Sequence, residues 1–370
     1  MTRSHGLAPG PSSGVGVPSR SDAAATVRIA VDLLGGDDAP AVVVDGALRA
    51  LVADPTLQLL LVGPRAVADE VLAGAGITAS EHQAEPDQER VRVLVADRGV
   101  GMADPVARGA DGTTTIGAAM RELAAGRVAA VVSAGASGAT VASAVIAAGR
   151  LPGVRRPALA AVLPTPGGRL VLLDAGAGMR AHPADLLSHA ALGVSYARWV
   201  VGVPEPRVGL LSVGAEPGKG DQPRRSADAA LRARPLAGAV YVGPVEGGDV
   251  VTGGRADVVV TDGFTGNVLL KAVEAALRLV PSFHAATPVP EAGVLLGVAG
   301  TVVVCHGAAD GAAIASGIAL AADLAAGRIV ERIARDRPAF DPAAMNGGPR
   351  GPGAGARMAD QQEASSEVSG

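Results

Sequence analysis

The sequence predicts an α/β fold, a doubly wound and mostly parallel sheet with helices on both faces, and three observations predict it. Short Val, Leu and Ile runs recur, end in Gly or Asp-Gly, and are followed by Ala-rich stretches of helical length. The runs are continuously apolar rather than alternating, the pattern of strands buried on both faces. Aromatics make up only 2% of the 370 residues against 48% apolar, so the core must be aliphatic, which favours closely spaced helix-on-sheet layers over an aromatic-rich sandwich.

The expected strands, in order, are RIAVDLL (28–34), LQLLLVG (57–63), VRVLVAD (91–97), VAAVVSAG (128–135), LAAVLPT (159–165) and RLVLLDAG (169–176). RVGLLSVG (207–214), AVYVGPV (239–245), ADVVVTDG (256–263) and TVVVCHG (301–307) follow. Helices are expected over 64–73, 113–126, 137–150, 183–200, 265–280 and 309–327. Pro64 and Pro183 suit a first helical position and Thr113 an N-cap. Right-handed crossovers then put helices on both faces. Ten strands are many for one open sheet, so a second lobe or a kinked sheet with a cleft is expected.

Residues 128–149 carry no charge and are long enough to cross a bilayer, but Ala, Gly and Ser dominate and a SAGASGA turn divides them into strand and helix. Residues 1–26 and 340–370, rich in Gly, Pro and polar residues, read as a disordered leader and tail around an α/β domain at 27–335. The single cysteine, Cys305, makes neither an intrachain disulfide nor a Cys-rich zinc site, which points to a reducing, cytoplasmic setting. A net charge of -4 and few aromatics argue against nucleic-acid binding.

In doubly wound folds ligands sit beyond the carboxyl ends of the strands, and the unusual residues collect there. VDLLGGDDAP (31–40) carries Asp32, Gly35, Gly36 and Asp38; SAGASGA (133–139) carries Ser133, Gly135, Ser137 and Gly138; LDAGAG (173–178) carries Asp174 and Gly176. SVGAEPGKG (212–220) brings Lys219, VEGGD (245–249) brings Glu246, Gly247 and Asp249, and CHG (305–307) brings His306. TDGFTGN (261–267) supplies Asp262, Gly263 and Asn267, with Lys271 just beyond. Glycine turns let backbone N–H groups converge, and a helix start adds partial positive charge, a combination that suits phosphate or another anion.

Composition sharpens the choice. Of 32 basic residues only Lys219 and Lys271 are lysine, and Asn267 and Asn346 are the only asparagines. Lys219 offers a compact point charge suited to phosphate. Asn267 and Lys271, four apart, share a helix face. Adjacent Cys305 and His306 point to opposite sides of a strand, so they are poorly placed to act on each other; His306 can exchange a proton near neutral pH. AEPGKG lacks the remainder of a P-loop, and His182 and His189 lack metal-ligand spacing. GAGMRA (176–181) fits the dinucleotide pattern and keeps an NAD-dependent oxidoreductase open, although no acidic residue follows at the end of the next strand.

Taken together and in order, these turns resemble the phosphate acyltransferase of bacterial phospholipid synthesis (PlsX), over about residues 28–325. DGFTGNVLLK and VEGGD carry the resemblance most strongly, with VDLLGGDDAP, SAGASGATVASAVI, LDAGAG, RVGLLSVGAEPGKG and GVLLGVAGTVVVCHG. It implies a Rossmann-like, phosphotransacetylase-like fold. It also implies transfer of a fatty acyl group from acyl carrier protein to inorganic phosphate, giving acyl phosphate for a membrane glycerol-3-phosphate acyltransferase. No metal or organic cofactor is implied, and a cytoplasmic homodimer, peripheral at the membrane, is. On this reading Ser137, Gly138 and Lys219 contact phosphate or the carbonyl, while Asp262, Asn267 and His306 organise the cleft. Asp38, Ala136, Ser137, Gly178, Arg180, Ser212, Ala215, Ala308 and Ala309 replace the family's usual residues, and the 281–292 segment is shorter than usual. The losses of polar groups leave a non-catalytic binding or regulatory paralogue as the alternative.

Overall fold

The computed structural model describes residues 27–75, 80–81, 90–216, 218–279 and 292–336. The expected leader and tail, and most of the 281–292 segment, lie outside them.

The described residues form one twelve-stranded sheet. Its strands are β1 (Arg28–Asp32), β2 (Gln58–Gly63), β3 (Ser80–Glu81), β4 (Val91–Val95), β5 (Ala130–Ser133), β6 (Ala158–Thr165), β7 (Gly168–Leu173), β8 (Arg207–Leu211), β9 (Val240–Val245), β10 (Val258–Val260), β11 (Ala292–Leu296) and β12 (Thr301–Cys305). The helices are α1 (Ala41–Ala53), α2 (Arg65–Ala75), α3 (Thr115–Ala124), α4 (Ser137–Ala147), α5 (Pro183–Tyr196), α6 (Gln222–Ala233), α7 (Gly247–Thr252), α8 (Gly263–Arg278), α9 (Gly311–Ala326) and α10 (Ile329–Asp336).

All ten expected strands are present. Pro183 opens α5 as expected, whereas α3 is capped by Thr114 rather than Thr113: the Thr114 hydroxyl accepts from Gly117 N–H. Helix α8 starts at Gly263, two residues before the expected start, because Asp262 caps it. Residues 128–149 divide into β5 and α4, and no single helix among the described residues is long and apolar enough to cross a membrane.

The strand order is β3-β4-β2-β1-β5-β12-β11-β6-β7-β10-β8-β9. The six strands from β3 to β12 run parallel, as do β7, β10, β8 and β9, but β11 and β6 pair antiparallel to their neighbours and reverse the direction between the two sets. Loop length imposes this. Only Pro166-Gly167 joins β6 to β7, whose register sets Thr165 against Gly168, and only 297–300 joins β11 to β12. A parallel neighbour needs a crossover of about a dozen residues or more. Residues 292–296, not expected as a strand, complete the bridge between the halves.

Helices α3 and α9 both lie against β1 and β5, but α9 packs with α1 and α3 with α4, so the two layers cover opposite faces. The core is aliphatic as composition requires: Tyr196 is the aromatic among the largest fully buried described side chains. At the β8 side, Asp257 accepts from the Arg207 backbone N–H at 2.7 Å and from its guanidinium at 2.8 and 3.0 Å, tying β10 to β8.

Candidate active site

The strand ends on either side of the reversal meet at one cavity of about 470 Å³. Gly135 and Ser137 reach it from the turn after β5, Gly176 from that after β7, and His306 and Gly307 from that after β12; Gly263, Asn267 and Lys271 come from α8. The rest of the wall is mostly apolar, with Leu159, Ala161, Leu270 and Val304 inside and Met102, Met179, Phe264 and Val268 exposed around it.

Glycines let the turns approach. A Cβ on Gly35 would stand 2.7 Å from Gly135 N and from Ser133 Oγ, so the β1 and β5 turns pack backbone to backbone. Ser133 Oγ donates to Asp32 at 2.7 Å and accepts from Gly135 N–H at 3.0 Å. Burial pushes the Asp32 carboxyl above its usual range, outweighing the hydrogen bonds from Ser133 and Leu34. Asp32, Ser133 and Gly35 thus shape the Gly135–Ser137 turn from behind. Ala136 is the N-cap of α4 and supplies no side-chain cap, so the helix opens on the cavity wall with its first N–H groups unclaimed by a capping side chain.

The LDAGAG turn is folded around its own carboxylate. Asp174, 1% exposed, accepts from Leu159 N–H (3.0 Å), Gly176 N–H (3.0 Å) and Ala177 N–H (2.7 Å) through Oδ1 and from Gly178 N–H (2.8 Å) through Oδ2. The amides that a dinucleotide pyrophosphate would use in GAGMRA are therefore already filled by an internal anion, and the dinucleotide reading has no site here.

Helix α8 docks on this turn with glycine at each close approach. A Cβ at Gly263 would meet Gly178 O at 2.4 Å, and one at Gly266 would meet Asp174 O at 1.9 Å. That contact explains the spacing of DGFTGN. Asn267 Nδ2 donates to Ala175 O at 3.2 Å, and Lys271, one turn on, is the one lysine or arginine among the described lining residues. Asp262 faces the other way. It accepts from Thr265 N–H and Thr265 Oγ1 at 2.9 and 2.8 Å and pairs with Arg224. Its partial burial raises the carboxyl pKa, but the bonds from Thr265 and Arg224 prevail and hold it below the usual value. Asp262 and Arg224 line a neighbouring cavity of about 720 Å³ with Arg156, Arg180 and His182, separated from the first by Met179, which borders both.

Strand order decides which expected residues stay out. Strands β8 and β9 lie beyond β10 at the sheet edge, so Lys219 after β8 is exposed and lines neither cavity. Glu246 and Asp249, after β9, form a capping box on α7 instead, with Gly247 its first residue: Glu246 N–H donates to Asp249 at 2.9 Å. Gly138 packs on Val106, its Cβ position 3.0 Å away. Asp38 is exposed, and it is Asp37 whose N–H reaches Gly307 O at 2.8 Å. Gly36, with φ 128°, shapes that same turn. Glu274 was not singled out by the sequence: 5% exposed, it meets His306 Nε2 at 2.8 Å. The available signal was its place seven residues after Asn267 and three after Lys271, on the same helix face.

Comparison with known proteins gives a family model, "Fatty acid synthesis protein", matching residues 27–287. A phosphate acyltransferase of Thermobifida fusca is 37% identical over 348 residues, covering 86% of this chain and 93% of that protein. Phosphate acyltransferases of Cereibacter sphaeroides (38% over 344 residues, 84% and 90% covered) and Desulfitobacterium hafniense (34% over 345, 85% and 98%) are similar too. Among solved structures, a phosphotransacetylase from Streptococcus pyogenes superposes with TM-score 0.57 at 16% identity, covering 83% of this chain and 94% of the other. A branched-chain phosphotransacylase from Enterococcus faecalis gives 0.52 at 15%, covering 83% and 99%. These two likenesses establish a phosphotransacetylase-like α/β fold.

Proposed function

The chain belongs to the phosphate acyltransferase (PlsX) family, and from that premise we propose that the cavity at the direction reversal of the sheet is where an acyl thioester and orthophosphate meet. The protein is an acyltransferase that transfers an acyl group to phosphate in phospholipid biosynthesis. The observation that carries the site assignment is the two-sided wall: the uncapped start of α4 with Asn267 and Lys271 for an anion, and Leu159, Ala161, Leu270 and Val304 for an acyl chain.

The geometry performs the chemistry by positioning. Orthophosphate binds at the amino end of α4, where N–H groups and the helix dipole favour an anion, with Lys271 as counter-charge. A phosphate oxygen forms a bond to the thioester carbonyl carbon, the carbon–sulfur bond breaks, and the thiol leaves. No side-chain nucleophile is needed, because holding the two reactants together supplies most of the acceleration. The developing carbonyl oxyanion is stabilised by the fixed N–H groups at the start of α4, which no capping side chain claims. The departure at Ala136 removes a side-chain contact but leaves these backbone donors in the chain.

The donor in this proposal is the thioester of acyl carrier protein. The product would pass to a membrane glycerol-3-phosphate acyltransferase, which favours a cytoplasmic homodimer working at the membrane surface. The test is incubation with palmitoyl-acyl carrier protein and phosphate, with hydroxylamine trapping of acyl phosphate, palmitoyl-coenzyme A as the rival donor, and an active family member alongside. Product with the carrier-protein donor is expected; none above a protein-free control would overturn the proposal.

A further inference from the structure

We propose that Glu274 is a positioning residue that fixes the tautomer of His306 and thereby makes the imidazole a directed proton carrier in acyl transfer; this rests on the phosphate acyltransferase reading of the cavity. His306 follows β12 and lines the cavity, its side chain 26% exposed, while the preceding Cys305 is 3% exposed. Its Nε2 lies 2.8 Å from Oε1 of Glu274, whose side chain is only 7% exposed and comes from α8, thirty-two residues away in sequence.

A carboxylate can only accept, and a buried one is costly without a donor. The Glu274 carboxylate therefore puts the ring hydrogen on Nε2 and leaves Nδ1 as the basic nitrogen. The same two-atom logic orients catalytic imidazoles elsewhere: the carboxylate holds ring and tautomer and steadies the imidazolium without taking the proton itself. The helix that carries Glu274 also carries Asn267 and Lys271 into the cavity, so one rigid element sets the anion contacts and the proton carrier together.

The step balances. Hydrogen phosphate gives its proton to Nδ1 of His306 as its oxygen bonds to the acyl carbon. The carbon–sulfur bond breaks, and the imidazolium returns the proton to the departing thiolate, giving acyl phosphate and free thiol. Glu274 accepts from Nε2–H throughout and takes no part in the proton transfer.

The ring nitrogens of the full chain, labelled with ¹⁵N on histidine, report the tautomer directly by long-range ¹H–¹⁵N correlation. The expected result is Nε2–H for neutral His306 in the parent protein and a mixed or inverted population in Glu274→Ala. An Nδ1–H tautomer in the parent overturns the proposal. Because this reading needs no turnover, it separates failure of the Glu274 role from failure of the acyltransferase assignment, which the hydroxylamine assay tests alone.

Kinetics give the second arm. Glu274→Ala is expected to lower kcat by about 10- to 100-fold, within the range of acid–base catalysis, with little change in KM for phosphate. Combined with His306→Ala it should add almost nothing, since residues acting as a unit are strongly non-additive. Losses that multiply in the double variant, or a Glu274→Ala effect confined to KM, overturn the proposal and leave a structural link between α8 and β12. If Glu274→Ala does not fold, Glu274→Gln keeps the volume and removes the charge. It is then expected to lose kcat while melting like the parent, and unchanged kcat overturns the proposal.

Discussion

Substituting Gly266 by Ala tests whether the DGFTGN spacing exists to seat α8 on the LDAGAG turn. In an exposed helix interior the change would stabilise by about 1 kcal/mol, because alanine restricts the unfolded chain more. Here the new Cβ would lie 1.9 Å from Asp174 O, against 3.4 Å or more for an ordinary contact, so some 1.5 Å (3.4 − 1.9) must be recovered by movement. Asp174 cannot yield easily: its N–H donates to Thr261 O at 3.1 Å and its carboxylate holds four amides. The helix must shift instead. Overpacking of this kind costs about 1–3 kcal/mol, which exceeds the helix-propensity gain at all but its lower end. The kinetic effect should be larger, because α8 carries Asn267, Lys271 and Glu274, and displacement of reacting groups by about 1 Å can cost about 100-fold in rate. Gly248→Ala on α7 is the control. Nothing lies within 4 Å of its Cβ position, so stability should stay level or rise by up to about 1 kcal/mol. The assay pairs urea unfolding with hydroxylamine-trapped acyl phosphate for both variants. If Gly266→Ala is as stable as Gly248→Ala and retains full kcat/KM, the docking argument is refuted.

Two further outcomes follow from buried groups. Asp174→Asn removes an acceptor from the carboxylate that serves the amides of Leu159, Gly176, Ala177 and Gly178, and should cost about 3 kcal/mol in urea unfolding, since charged hydrogen bonds and stranded buried donors each contribute about 1–3 kcal/mol; a loss below 1 kcal/mol would show the turn to be held by other means. His189 is 2% exposed, and burial lowers its pKa from 6.5, against smaller raising effects of Asp174, the Arg156 carbonyl and Asp185. The unfolded chain therefore binds the proton first as pH falls, so the His189 contribution is fully present above 6.5 and lost progressively below it. Urea midpoints measured between about pH 7.5 and about pH 5.5 should fall for the parent and fall less for His189→Gln; parallel slopes would refute this account.

Much of the site was legible along the chain. The continuous apolar runs located ten of the twelve described strands, and the glycines after them located the turns that form the cavity. The four-residue spacing of Asn267 and Lys271 placed them on one helix face, as found. The rarity of lysine, however, gave Lys219 the same weight as Lys271, and only the strand order separates them: β8 lies beyond β10, so its turn stands farther from the reversal than that of β7. The same geometry removes Glu246, Gly247 and Asp249, which looked like ligands and form the capped start of α7.

Local pattern determined ten of the strands and the helices between several of them, because backbone propensity and the periodicity of burial act over a few residues. It also determined the family, because the turn sequences recur in order. Only the tertiary structure decided which turns face one another. It made Asp174 an internal anion rather than a ligand, brought Glu274 to His306, and reversed the sheet through β11 and β6. Those outcomes depend on non-local pairing, where strands far apart in sequence become neighbours and the short 166–167 and 297–300 connections fix their direction. No window of a few residues contains that information.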